Sequence, residues 1–286
     1  MGADLYKNST PFRTIRAVAN VRKALWNGFT ALRDVESEGA MYADVDVKKA
    51  ITMGLIPGPR LWVSTRGLNT LGRYMPFDYS WELDLPKGAQ MVTGTDECLK
   101  AVREQVANGA DWIKIYVDWP FFIDKDGGLS GLTNFSREEL ATMVSEAHGL
   151  ERKVAAHAIS RNGIKAALEA GVESIEHGSG FDDSLIDQAK TQGVYWCPTL
   201  SVFEYSFEHS QSPLDKQLLE IEYAGLNRAY KKGLKIALGT DAGSFPWAVN
   251  QAKEFEFLVK KPVLVPWMPS KQGPPSLLNC SANRLQ

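Results

Sequence analysis

The segment from Lys153 to Gly178 holds the residue types best suited to chemistry. It reads Lys-Val-Ala-Ala-His-Ala-Ile over 153–159, then a run of helical composition ending at Gly171, then Val-Glu-Ser-Ile-Glu-His-Gly over 172–178. Each outer piece is a short apolar run closing on a histidine, and glycine is a frequent helix terminator. The pattern is strand–helix–strand. If the strands are parallel neighbours, His157 and His177 emerge at one sheet edge, where two imidazoles make a natural pair of metal ligands. Taken singly, each is slightly better read as a hydrogen-bonded core histidine. Their placement at the ends of consecutive strands favours metal binding.

Two more side chains invite the same question. In Trp112-Ile-Lys-Ile-Tyr-Val117, alternation sets Lys114 opposite Ile113, Ile115 and Val117, in line with Trp112 and Tyr116. In a barrel wall both faces are buried, so the amine points inward, where an unpaired ammonium is costly. Either Lys114 is paired with a neighbouring Asp or Glu, or it is a neutral amine that captures carbon dioxide as a carbamate and bridges two metals. Asp241 closes the run Leu238-Gly-Thr-Asp-Ala-Gly243. It is a turn or helix-cap aspartate, or a metal-bound carboxylate that shuttles a proton. His148, on a helix surface, and His209, in a loop, are weaker candidates.

The elements that must hold these residues alternate along the chain. Strand-like runs cover 28–35, 59–66, 111–117, 153–159, 172–178, 194–200 and 234–241. Helical stretches lie between them: 12–27, with Ile15, Val18, Val21, Leu25 and Trp26 on one face, then 43–54, 95–108, 137–150, 182–192, 213–232 and 252–260. Ser136 is the expected cap of the helix at 137. The stretches 67–94 and 118–133 read as loops. Seven strands alternating with helices imply a parallel sheet with right-handed crossovers. No Gly-x-Gly-x-x-Gly follows the first strand, and polar residues end many strands. Both facts favour an α/β barrel of the TIM type with its site at the C-terminal strand ends over a doubly wound sheet. One strand of the eight is missing.

Composition narrows the function. The 286 residues are 44% hydrophobic, with 32 basic and 34 acidic side chains and a net charge of −2. There is no basic run for nucleic acid, no apolar stretch of membrane-spanning length and no signal peptide, so a cytoplasmic location is expected. Cys98, Cys197 and Cys280 are spaced neither as a disulfide framework nor as a zinc finger. The prolines at 262, 266, 269, 274 and 275 mark residues 261–286 as an irregular, disordered tail, which leaves 1–260 as the barrel.

Lys114, His157, His177 and Asp241, on the fourth, fifth, sixth and eighth strands if the missing strand is the first, resemble the amidohydrolase superfamily. So do the segments Asn27–Asp34, Gly58-Pro-Arg60, Gly109–Lys114, Ala156-His-Ala158, Ser174–Gly178 and Gly239–Gly243. The chain is most similar to the imidazolonepropionase-like, prolidase-type branch, which includes Xaa-Pro dipeptidases and the fungal ochratoxin-degrading amidase. The resemblance implies a divalent metal, zinc, with two ions sharing a carbamylated Lys114. His157 and His177 would hold one ion; Asp241 and a His-x-His pair on the first strand would hold the other. A metal-bound hydroxide would attack a small amide, an N-acyl amino acid or an X-Pro dipeptide, and Asp241 would pass the proton to the leaving amine. Arg161 is a candidate clamp for a substrate carboxylate, with Arg66 and Tyr116 as further contacts.

The sequence contains no His-x-His. The expectation is therefore a chain truncated at both ends, lacking the first strand and the flanking β-sandwich, and holding two ions, one or none. The alternative function is a catalytically inactive barrel remnant. Two unpaired strand edges also predict poor solubility or a homo-oligomer.

Overall fold

The computed structural model describes residues 2–74, 80 and 82–260. The chain packs as two compact units, one built from residues up to Pro120 with Thr133–Ala156, the other from Phe121–Leu132 with the chain from His157 onward.

The first unit opens with helices α1 (Gly2–Lys7) and α2 (Thr10–Trp26), the latter capped by Ser9 and started by a proline in its first turn. Strands β1 (Ala31–Asp34) and β2 (Arg60–Val63) pair in parallel, with α3 (Ala43–Thr52) crossing between them. Val21, Val47, Leu61 and Val63 form the core of this subassembly, with Ala17, Val18, Leu32, Val45, Ile51 and Ile56 around it. The apolar face expected on α2 is only partly used: Ile15 and Trp26 are exposed. Strands β3 (Leu68–Thr70) and β4 (Gln90–Val92) pair in parallel, and β5 (Trp112–Tyr116) lies on the other side of β3. Helix α4 (Gly94–Ala107) leads from β4 to β5.

Past β5 the chain forms a small two-stranded sheet, β6 (Asp118–Ile123) with β7 (Leu129–Thr133). Its turn is closed by Asp124, whose Oδ1 accepts from the amides of Asp126 and Gly128. Helix α5 (Arg137–Gly149) starts on a capping box in which Ser136 and Glu139 exchange bonds. It feeds β8 (Lys153–Ala158), whose first residues neighbour β5 in the first unit.

In the second unit the end of β8, then β9 (Ser174–His177), β10 (Tyr195–Cys197) and β11 (Lys235–Ile236) are successive neighbours. Both β9–β10 and β10–β11 are parallel. The crossovers are α6 (Arg161–Ala170), α7 (Asp183–Gln192) and the pair α8 (Leu200–Ser210) and α9 (Pro213–Lys232); α10 (Lys253–Lys260) follows β11. Ser160, Asp182 and Ser212 cap three of these helices, and left-handed glycines 171, 193 and 233 end them. Every residue of β9 is buried, along with Ile164, Leu168, Ile186, Trp196 and Leu226 from the surrounding elements. A strand hidden on both faces is what helix-covered parallel sheets require.

The architecture is α/β and of the barrel type, and the described strands do not close a ring. In the first unit β1–β2 stands as its own sheet beside β4–β3–β5. The structure corrects several expectations. The stretch 67–94 contributes β3 and β4, and 118–133 is the β6–β7 pair, not a loop. His209 sits on α8. The strand expected over 234–241 is reduced to Lys235–Ile236. The tail 261–286 lies outside the described residues.

Candidate metal centre

His157 stands near the end of β8, and His177 is the last residue of β9. The two strand ends are tied together beyond the ladder: the Gly178 amide donates to the Ala158 carbonyl at 3.1 Å, and the Gly180 amide to Ile159 at 2.7 Å. Both imidazoles are buried, at 6% and 8% exposure. Their ring centroids are 4.7 Å apart, edge to face at 69°. Two imidazoles on one tetrahedral zinc, at metal–nitrogen distances of about 2.0–2.1 Å, place their centroids roughly 5 Å apart. The spacing therefore fits a shared divalent ion.

His177 is the more elaborately held. Its backbone is left-handed (φ 70). The Trp196 indole donates to its carbonyl at 2.5 Å. Its Nδ1 is 2.8 Å from Thr199 Oγ1, and Phe203 packs edge-on, 6.1 Å away. Among the described residues, no three His, Cys, Asp or Glu side chains converge as a metal-binding group. Asp241 lies in the turn beyond β11, with φ 55. Its Oδ2 accepts from the Ser244 hydroxyl at 2.5 Å, which is the bonding of a turn aspartate.

Lys114 belongs to the first unit. It is buried on β5, with its Nζ 5.3 Å from the centre of the Tyr116 ring. Two acids expected from no motif keep it company. Burial, reinforced by Asp44, pushes the Asp34 carboxyl up to about 7, and burial, reinforced by Glu38, pushes Glu36 up to about 8; the charge on Lys114 pulls both back down. Tyr116 donates its hydroxyl to Glu36 Oε2, and Tyr74 donates to Glu38 Oε1 at 2.5 Å.

Each of the three candidate substrate contacts has a partner in its own unit. Arg66 reaches the Ala89 carbonyl at 3.4 Å. Tyr116 is bonded to Glu36. Arg161 donates through Nε to Asp182 at 2.6 Å. Burial opposes ionisation of Asp182, yet the Leu185 amide, the Ser184 hydroxyl and Arg161 together hold it down to about 2. Sequence reasoning missed Asp34, Glu36 and Thr199. Asp34 closes a strand-like run as Asp241 does, and that was its available signal.

Buried imidazoles at the ends of adjacent parallel strands, with further polar residues at other strand ends, are the layout of a barrel-type protein whose site lies at the C-terminal strand ends. Residues 12–277 match the Amidohydrolase family, and the chain belongs to it. Ochratoxinase of Aspergillus niger is 32% identical over 267 residues, covering 85% of this chain and 53% of the relative. The chain thus spans about half the length of the curated relatives it matches. Among solved structures, a Xaa-Pro dipeptidase with bound methionine in the active site superposes with a TM-score of 0.78 at 30% identity, covering 90% of this chain and 65% of that one. The A. niger ochratoxinase structure gives 0.76 at 28% identity, over 93% and 64%.

Proposed function

We propose that the chain is a metal-dependent hydrolase of amide or peptide bonds in small substrates, of the N-acyl amino acid or X-Pro dipeptide kind. The observation that supports this most directly is the buried His157–His177 pair with zinc-compatible spacing. The similarity to an ochratoxinase and a Xaa-Pro dipeptidase supports the substrate class. A divalent ion, when bound, lowers the pKa of water toward neutrality and polarises a carbonyl.

The chain's own residues have distinct tasks. His157 and His177 hold the ion. Lys114 is the residue proposed to carry a carbamate: its amine adds carbon dioxide from solution, an N–C bond forms, one proton leaves, and an anionic group remains. Asp34 and Glu36 are near enough to feel the charge on Lys114. Asp241 carries a proton to the leaving nitrogen, releasing its bond from Ser244 as it does so. Arg161 turns from Asp182 to a substrate carboxylate; Arg66 and Tyr116, both in the first unit, are proposed as further substrate contacts.

The second reading, an inactive remnant, is favoured by one observation: no three-ligand group converges among the described residues. Metal analysis with activity on a panel of N-acyl amino acids and X-Pro dipeptides separates the two. Bound zinc with hydrolysis that a chelator abolishes is expected. Protein that takes up no metal and is inert across the panel would establish the remnant.

A further inference from the structure

Helix α8 begins without a side-chain cap of its own. Thr199 occupies the cap position in a left-handed conformation; its carbonyl accepts from the Val202 amide at 3.2 Å, but its side chain makes no bond to the helix amides. Its hydroxyl instead meets His177 Nδ1 at 2.8 Å. The orphan amides of the first turn still need acceptors, and these come from far along the sequence. Glu254, on α10 and fully buried, accepts from the Leu200 amide at 2.9 Å, the Ser201 amide at 2.8 Å and the Ser201 hydroxyl at 2.6 Å. A carboxylate at a helix N-terminus also meets the positive end of the helix dipole.

A threonine at this position ordinarily spends its side-chain oxygen on the N2 or N3 amide. Here Glu254 does that work, and the Thr199 hydroxyl is released toward the imidazole. We infer that Glu254 is a positioning residue: by capping α8 in place of Thr199, it fixes the hydroxyl that orients His177 and leaves Nε2 as the ligating nitrogen. The inference rests on the metal-site reading of His177. Partners of this kind fix both the tautomer and the ring plane of a ligating histidine.

The test uses the full chain and two readouts. The first is zinc affinity, measured against a competing chelator. The second is the tautomer of His177 in metal-free protein, read from long-range proton–nitrogen NMR correlations. Thr199→Val and Glu254→Gln are each expected to weaken zinc binding about tenfold or more and to turn a single tautomer into a mixture. Their combination adds nothing beyond either alone, and Thr199→Ser behaves as wild type. Ser201→Ala, which removes one of the three bonds to Glu254, gives a smaller change in the same direction and serves if Glu254→Gln does not fold. A Glu254→Gln or Ser201→Ala protein that melts lower while keeping wild-type affinity and a single tautomer overturns the inference. Wild-type protein that binds no zinc sinks the metal-site reading alone, because the tautomer readout still decides whether Glu254 positions His177.

Discussion

The indole nitrogen of Trp196 donates to the carbonyl of His177, and it occupies the space a side chain on the next residue would need. A Cβ at Gly178 would lie 2.3 Å from that nitrogen, on a backbone with φ +74. Trp196 is completely buried, so it cannot swing away. Gly178→Ala is therefore expected to cost roughly 2–4 kcal/mol, combining left-handed strain with overpacking. Gly54 has a similar φ of +71 but open space around it, so Gly54→Ala is expected to cost only about 1–2 kcal/mol. Urea unfolding of both variants checks the difference. Equal losses would mean that the indole contact constrains nothing.

Tyr116 is where a structural and a substrate role can be separated. Its hydroxyl is a principal partner of the buried Glu36 carboxyl. Tyr116→Phe should lower stability by about 1–3 kcal/mol, the cost of depriving a buried polar group of its bond. A residue that only touched substrate would leave stability unchanged and raise KM. Denaturant melts and steady-state kinetics on the same preparation distinguish these outcomes.

How much of this was legible beforehand depends on whether the determinants are local. The caps at Ser136, Ser160, Asp182 and Ser212 and the stops at Gly171, Gly193 and Gly233 act within a few residues of themselves, and they mark their helices in the sequence. The His157–His177 pairing follows from two apolar runs of similar length separated by one helix. By contrast, α8 has no local cap, because its acceptor is Glu254 in a different helix, and so it reads as a loop. Strands β3 and β4 have three residues each, too few for alternation to register. The last strand looked eight residues long because Leu234, Ile236, Ala237 and Leu238 form an apolar run that continues into Gly-Thr-Asp241. It ends at Ile236; beyond it Gly239, whose Cβ would lie 2.3 Å from Cys197 Sγ, leads into the left-handed Asp241.

Stability should depend on pH in an unusual direction above pH 4. Burial pushes Asp44 from 3.8 up to about 6 and Glu254 from 4.5 up to about 7, against the backbone and hydroxyl donors that favour their ionised forms. Between the unfolded and folded values the folded state keeps a proton the unfolded chain has released. The stability these groups contribute is complete below their unfolded pKa values and is lost as pH rises through the folded ones. Asp124, Glu139 and Asp182 are shifted down, so their contribution is lost only on acidification below their unfolded values. The expected profile peaks near about pH 4–5 and declines toward about pH 7–8, since Asp34 and Glu36 are shifted up in the same way. Unfolding free energies measured across this range, with Glu254→Gln flattening the upper part of the decline, check it. Stability that climbs steadily from pH 4 to 7 would contradict the assignment.

The histidine pair makes the most direct prediction. An ion that binds the folded chain and not the unfolded one stabilises by mass action, about 2.7 kcal/mol when the free ion exceeds its Kd a hundredfold. In a chain of this size that amounts to several degrees in Tm. Zinc should therefore raise the melting temperature of metal-free protein, and a chelator should reverse the shift. His157→Asn and His177→Asn each remove one of two imidazoles 4.7 Å apart and should each abolish most of the response. Arg161→Ala, which breaks only an exposed ion pair with Asp182, should leave it intact, costing at most about 1 kcal/mol of baseline stability. The comparison separates site binding from adsorption to surface carboxylates, because only the former depends on the two buried rings. An equal shift in wild type and in the doubly substituted protein would place the zinc elsewhere.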